Sequence, residues 1–140
     1  YQRALNFKIP VVNCGHPSAS HPEVPSVYLD RLQPTQVLTR YLASCGHSQV
    51  AVLLGDSPEE VIQSEFIEAI IEENSNLNPD LIFQASYDNP QTVEIIWNEI
   101  ISVKPRITAV MCDNDLLAYY LYLSADKYGI KAKFCIINPT

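Results

Sequence analysis

The sequence has few glycines, and their scarcity excludes the common nucleotide-binding loops. Its four glycines form neither a G-x-G-x-x-G nor a G-x-x-x-x-G-K-[ST] motif, and those loops need glycines to bring backbone N–H groups close to phosphates. The G-x-S-x-G turn of serine hydrolases is absent as well. The sequence therefore supports neither phosphate binding by a glycine-rich loop nor a nucleophilic serine.

Basic residues are also scarce. Nine Lys and Arg stand against 16 Asp and Glu, so the net charge is −7. Such a chain repels a phosphate backbone, and we expect any contact with DNA to depend on a domain absent from this chain. No apolar run approaches the roughly 20 residues that span a bilayer, and no signal-peptide pattern is visible at the start. We therefore expect no membrane partner and expect the chain to be a piece of a longer protein.

The four cysteines are far apart, and three of them lie in or beside apolar runs. This pattern indicates buried, reduced thiols and a cytoplasmic location. Cys14 and Cys45 each open a Cys-Gly-His triplet, which could offer a metal two thiolates and two imidazoles. The spacing matches no common zinc motif, so we predict neither a metal site nor a cofactor.

Short apolar runs alternate with longer amphipathic segments along the chain. With 140 residues and 47% apolar content, we predict one domain over residues 1–140, large enough to bury a core without disulfides. The predicted strands are 9–14, 27–29, 50–54, 81–84, 107–112 and 134–137, and the predicted helices are 1–7, 30–44, 57–74, 88–101 and 116–128. This alternation predicts an α/β fold, with a mostly parallel sheet and helices on both faces in a Rossmann-like three-layer α/β/α arrangement.

The helices carry apolar stripes that indicate their buried faces. Ser57-Pro58-Glu59-Glu60 is the strongest start signal, because it combines a capping Ser, a Pro at the first helical position and a Glu that reaches back. The predicted stripes are Val37, Leu38, Tyr41 and Leu42; Val61, Ile62, Phe66, Ala69, Ile70 and Ile71; and Val93, Ile96, Trp97, Ile100 and Ile101. Residues 117–123 are apolar or aromatic at every position, which is more than one buried face needs. We expect a homodimer to cover the remainder.

Polar residues follow the predicted strands, at the edge where open α/β sheets bind ligands. They are Gly55-Asp56-Ser57, Ser86-Tyr87-Asp88, Asp113-Asn114-Asp115 and Asn138. Asp113 and Asp115 could do acid/base work, but a two-residue spacing at a strand-to-helix turn is more typical of a helix cap and a solvated neighbour. No nucleophile is matched to a base, so we predict that the chain is not an enzyme.

Four stretches together resemble one known family. They are IPVV at 9–12, VPSVYLD at 24–30, LASCGH at 42–47 followed by VAVLLGD at 50–56, and TAVMCDNDLLA at 108–118. The combination resembles the effector-binding domain of the lactose-repressor/galactose-repressor family of bacterial transcription regulators, which shares its fold with type I periplasmic sugar-binding proteins. That domain is about twice as long as this chain, so the resemblance implies mainly the second subdomain, without the helix-turn-helix.

The resemblance implies an effector-sensing and dimerising module, in which a small molecule such as a sugar favours one closure angle between two subdomains. Asn114 and Asp115 match the motif that hydrogen-bonds effector hydroxyls. A helix cap is the alternative, above all for Asp115. Tyr87 lies at or within one residue of an aromatic that packs on the sugar ring, although an exposed loop Tyr beside a capping Asp88 is an ordinary alternative. Asp56 and Ser57 complete the predicted ligand contacts.

Two departures from the family pattern bear on the effector. Ile62 stands where sugar-binding members carry an Arg, and residues 134–140 supply no carboxylate after the last strand. Either the effector is less hydroxylated or more apolar than a typical sugar, or the module is a ligand-independent scaffold in which Ile62 continues the buried stripe of Phe66 and Ile70. A type I solute-binding protein of the cell surface is the further alternative.

Overall fold

The chain divides into two compact units, Tyr1–Asp30 and Arg31–Thr140. The computed structural model describes residues 1–15, 17–28, 30, 32–56, 60–73, 77–103, 107–129 and 135–137, with the backbone alone at 60–62, 103 and 135–137. None of the helices in these ranges is long and apolar enough to cross a membrane.

The first unit contains a short helix, α1 (Gln2–Asn6), and two parallel strands, β1 (Asn13–Cys14) and β2 (Ser26–Val27). The prediction of strands over 9–14 and 27–29 was wrong in length. Only two residues of each strand are paired, so the ladder is short. The N–H of Asn13 donates to the carbonyl of Pro25, and the N–H of Gly15 donates to the carbonyl of Val27. Upstream, Pro10 has no N–H to donate, so it cannot extend the ladder.

The second unit is an alternating α/β array around a four-stranded parallel sheet, as predicted. Its helices are α2 (Leu32–Ser44), α3 (Glu60–Glu73), α4 (Pro90–Val103) and α5 (Asp115–Lys127), and its strands are β3 (Val50–Gly55), β4 (Ile82–Ala85), β5 (Ala109–Cys112) and β6 (Cys135–Ile137). The strand order is β4-β3-β5-β6, and every neighbouring pair is parallel. A 3-10 turn at Pro79–Leu81 takes Leu81 out of the predicted strand.

Strand β3 is covered on both faces, which makes the unit three layers thick. Ala51 and Leu53 belong to one core cluster, with side chains from α4 and α5. Val52 and Leu54 belong to a second cluster, with side chains from α2 and α3. Alternate residues of a strand point to opposite faces, so this division follows from the period of the strand and confirms the α/β/α prediction.

Helix α4 follows its predicted stripe, since Val93, Ile96, Trp97 and Ile100 are all buried and Ile101 packs against them. The stripe of α2 was wrong in part. Val37 and Tyr41 are 48% and 55% exposed, while the buried face holds Thr35, Thr39 and Leu42. The Thr39 hydroxyl donates to the Thr35 carbonyl at 2.8 Å, and a satisfied hydroxyl can be buried where apolar patterning does not expect it.

Helices α3 and α5 also depart from a simple stripe. On α3, Phe66, Ala69 and Ile70 are buried, but Ile71 is exposed because it lies past the edge of that face. The predicted cap at Ser57 and the side chains of Val61 and Ile62 lie outside the described residues. On α5 the buried positions are Leu117, Leu121, Ser124 and Ala125, and the exposed apolar ones are Leu116, Tyr119, Tyr122 and Leu123.

The cysteines divide between surface and core. Cys112 is buried in β5, as expected, and burial raises the pKa of its thiol, with the neighbouring Asp113 charge adding to the effect. Cys14 and Cys45 are exposed, so the prediction of buried thiols was wrong for both. Cys14 ends β1 and Cys45 follows the last residue of α2, and each precedes a glycine with positive φ, where the chain turns away from the apolar run that preceded it.

Candidate ligand-binding site

The order of the sheet creates a switch point between β3 and β5. The chain leaves β3 through α3 to reach β4 on one side, and then returns through α4 to β5 on the other side. At such a point the two connections diverge to opposite faces, which opens a crevice at the carboxyl ends of the strands. Asp56 follows β3 there, Asp113 and Asn114 follow β5, and Tyr87 comes from the loop after β4.

Asp113 joins these strand ends. Its side chain is buried, at 2% exposure, and its Oδ2 accepts hydrogen bonds from the N–H of Gly55 at 2.9 Å and from the Tyr87 hydroxyl at 3.1 Å. A carboxylate acceptor makes both bonds stronger than neutral ones. We expected one of Asp113 and Asp115 to be a helix cap and the other a solvated neighbour. For Asp113 this was wrong, because its side chain is buried at the edge of the sheet.

Tyr87 lies directly against the backbone of Gly55. A Cβ placed on Gly55 would fall 1.8 Å from Cζ of Tyr87 and 2.1 Å from its hydroxyl, so the ring occupies the space that any other residue at 55 would fill. The ring is half-buried. The alternative of an exposed loop Tyr does not describe it.

The backbone of the Tyr87 loop is fixed from both sides. The N–H of Tyr87 donates to Oδ1 of Asp56 at 3.0 Å, and the N–H of Ser86 donates to the Thr92 hydroxyl at 3.0 Å. The expected cap at Asp88 is one residue too early, because Oδ1 of Asn89 accepts the N–H of Gln91 at 3.2 Å. The first turn of α4 thus orients the loop that carries Tyr87.

Asp56 is exposed and ionised at neutral pH. Its carboxylate accepts the Tyr87 N–H and a hydrogen bond from Ser86, and these bonds hold the pKa of Asp56 below its usual value. A charged acceptor therefore lies beside the backbone of Tyr87, where the hydroxyl or amine groups of a ligand could donate to it.

Asn114 caps α5, and Asp115 is the first residue of that helix. Oδ1 of Asn114 accepts the N–H of Leu117 at 3.0 Å with the extended backbone of an N-cap. The alternative role predicted for Asp115, that of the helix cap, thus belongs to Asn114. Asp115 is exposed in the first turn, where its charge interacts favourably with the helix dipole. Contact of either residue with a ligand stays a prediction.

The structure thus brings Asp56, Tyr87 and Asn114 together at one edge of the sheet. It adds Gly55 and Asp113, which the sequence placed at this edge but did not predict as ligand contacts. Ser57, the Ile62 side chain and residues 138–140 lie outside the described residues, so the consequence of the two departures for the effector remains a prediction. Within the part of the chain that is described, no group of three or more His, Cys, Asp or Glu side chains is arranged to hold a metal ion.

Comparison with known proteins gives a family match over nearly the whole chain. Residues 2–138 match the family model described as periplasmic binding proteins and the sugar-binding domain of the LacI family. The HTH-type transcriptional repressor PurR of Vibrio cholerae is 30% identical over 96 residues, which is 66% of this chain and 28% of the repressor. The matched part of the chain therefore covers less than a third of the length of that curated relative.

Solved structures share the fold. A LacI family transcriptional regulator from Enterococcus faecium with bound ribose aligns with a TM-score of 0.77 and 20% identity, over 98% of this chain and 52% of its own. The transcription regulator CcpA of Lactococcus lactis aligns with a TM-score of 0.75 and 24% identity, over 98% of this chain and 51% of its own. At these identities the likeness shows the fold alone.

Proposed function

Because the chain belongs to the family of periplasmic binding proteins and LacI-family sugar-binding domains, we propose that it is the effector-binding part of a cytoplasmic transcription regulator. The observation that carries the proposal is the cluster of Asp56, Tyr87 and Asn114 at the switch point of the sheet. The repressor among the relatives supports a regulator over a surface solute-binding protein, which the family also contains. DNA would be contacted through a domain outside this chain.

The site suits a small cyclic ligand with polar groups at its rim. The half-buried Tyr87 ring offers a flat apolar face, as the C–H edges of a sugar ring require. Asp56 supplies a charged acceptor, and Nδ2 of Asn114 can donate while Oδ1 caps the helix. We propose a sugar or related molecule as effector, supported by the ribose named for the Enterococcus faecium regulator. It would act by favouring one of two conformations that bind DNA unequally.

A thermal-shift screen against sugars, sugar phosphates and nucleobases tests this function. A ligand at 100 times its dissociation constant adds about 2.7 kcal/mol to the free energy of unfolding, so an effector should raise the melting temperature clearly. Tyr87→Ala should abolish the shift, whereas Tyr41→Ala, a change at an exposed tyrosine of α2, should preserve it. A panel with no stabilising compound would favour the ligand-independent scaffold. A shift that survives Tyr87→Ala would place the site elsewhere.

We also propose a homodimer that uses the outer face of α5. Leu116, Tyr119 and Leu123 are 39%, 56% and 45% exposed and recur at spacings of three and four residues, so they lie on one face of the helix. Leu123 also lines a groove of about 220 Å³ between α4 and α5, together with Tyr120 and the Glu94–Lys127 ion pair. An apolar surface with a charged rim is typical of a protein–protein interface, so we expect a second copy of the chain to cover it.

A further inference from the structure

We propose that Asp113 is the positioning residue of the ligand site, because it fixes the Tyr87 ring over Gly55 and so sets the surface on which an effector would lie. The inference rests on the proposed function for its significance, but the geometry comes from contacts within the chain itself. No motif singles out Asp113 for this task. It belongs neither to the Asn-Asp pair that follows it nor to the apolar strand that precedes it.

Asp113 makes three hydrogen bonds that support this role. Its Oδ2 accepts from the Gly55 N–H of the central strand and from the Tyr87 hydroxyl of the next loop, and its own N–H donates to the Leu53 carbonyl at 3.0 Å. One buried carboxylate thus connects the ends of β3 and β5 with the loop after β4. Removing it would leave the Gly55 N–H in a buried position without this acceptor.

The second support is steric and independent of those bonds. Cζ, Cε1 and the hydroxyl of Tyr87 all lie within 2.2 Å of the point that a Cβ on Gly55 would occupy. The ring can take this place only because residue 55 is glycine. Packing against Gly55 and bonding to Asp113 therefore act together on one ring, which leaves it few alternative positions.

A consequence for specificity follows from this arrangement. The Tyr87 hydroxyl donates its hydrogen to Asp113, so the residue offers a ligand its ring face but no hydrogen-bond donor. A donor to the ligand must then come from a neighbour such as Asn114, while Asp56 supplies a charged acceptor. The site would select first for a ligand with an apolar ring face, and second for a ligand with hydrogen-bond donors around the rim of that ring.

The experiment measures the proximity of Gly55 and Tyr87 in the full chain without ligand. With labelled glycine, the Gly55 Hα signal is assigned by its disappearance in Gly55→Ala, and its nuclear Overhauser signal to the Tyr87 ring is recorded. We expect this Overhauser signal in the wild type and in Asp113→Asn, which keeps an acceptor oxygen. We expect it to disappear in Asp113→Ala and in Tyr87→Phe, whereas Tyr119→Phe removes an exposed hydroxyl as a matched control and should preserve it.

Each outcome supports or overturns the proposal. An Overhauser signal that persists in folded Asp113→Ala overturns it, and so does a signal that disappears in Asp113→Asn as completely as in Asp113→Ala. If Asp113→Ala does not fold, Tyr87→Phe decides, because a signal that persists there shows that packing alone fixes the ring. Since the readout needs no effector, a negative ligand screen would leave it unchanged. A failure here would leave effector binding standing, with Tyr87 positioned by other contacts.

Discussion

Asn114 combines a structural bond and a candidate ligand bond on one side chain. Its Oδ1 caps α5 through the Leu117 N–H, so Asn114→Ala should lower the free energy of unfolding by about 1 kcal/mol, the usual value of an N-cap. Asn114→Asp keeps the capping oxygen but loses the amide donor. Urea unfolding of both variants checks this expectation.

The pair of variants separates the two tasks of Asn114. If the amide also binds the effector, Asn114→Asp should remain as stable as the wild type and yet bind any stabilising compound of the panel more weakly. Equal stability of Asn114→Ala and the wild type would contradict the cap seen in the structure.

Asp56 gives the site a pH dependence of defined sign. Its pKa is lowered in the folded chain by the bonds from Tyr87 and Ser86, so the ionised carboxylate stabilises the folded state above the unfolded value of about 3.9. That stabilisation is lost as the pH falls through the lowered pKa. We therefore expect Asp56→Asn to be less stable than the wild type at pH 6, with the difference shrinking below about pH 4. Urea unfolding across this range measures it.

The control for Asp56 lies in the neighbouring loop. Asp88→Asn removes the same charge one residue from Tyr87, at an exposed carboxylate. A stability difference between Asp56→Asn and the wild type that is constant with pH would contradict the linkage.

At the residue scale, sequence patterns find the polar positions but not the bonds between them. Asp56, Tyr87 and Asn114 were placed at one edge because they follow apolar strands, and the family resemblance implied Tyr87 and Asn114 as ligand contacts. The roles of Gly55 and Asp113 were missed because they depend on register, since Leu53 pairs with Cys112 and so brings the next residues of β3 and β5 together. An Asp that continues a fully apolar strand without a break is the signal that could have found Asp113.

At the scale of elements, the outer face of α5 offers the clearest test of the homodimer. Leu123→Asp introduces a charge on that face, and we expect it to shift the sedimentation of the chain from dimer to monomer with little change in folding. Val37→Asp makes the same change at a 48% exposed position of α2, on the opposite layer of the sheet, and should leave the dimer intact. A monomeric wild type, or a dimer unaffected by Leu123→Asp, would contradict this interface.

Helix existence and type were predictable, and helix faces were less so. The buried face predicted for α4 was correct because its apolar residues recur at spacings of three and four residues. The buried face predicted for α2 was wrong in part, because Thr35 and Thr39 are buried and the Thr39 hydroxyl is bonded within the helix. Apolar content alone cannot identify a buried threonine whose polar group is satisfied by its own backbone.

At the scale of the whole molecule, the α/β alternation and the apolar run of β3 predicted the parallel three-layer fold, and the family match agrees with it. The extent of the first two strands was not predictable, because the pairing of β1 depends on a partner of two residues. The prediction of one domain over the whole chain stays a prediction, with Tyr1–Asp30 forming a compact unit of its own.

The measurement that tests the central claim most directly is a map of backbone amide shifts in the nitrogen-labelled chain as each compound of the panel is added. We predict that an effector shifts the amides of Gly55, Asp56, Tyr87 and Asn114, at the carboxyl ends of the strands, and leaves those of His47 and Thr108 at the opposite edge unchanged. Shifts confined to the groove between α4 and α5, or no shift with any compound, would contradict it.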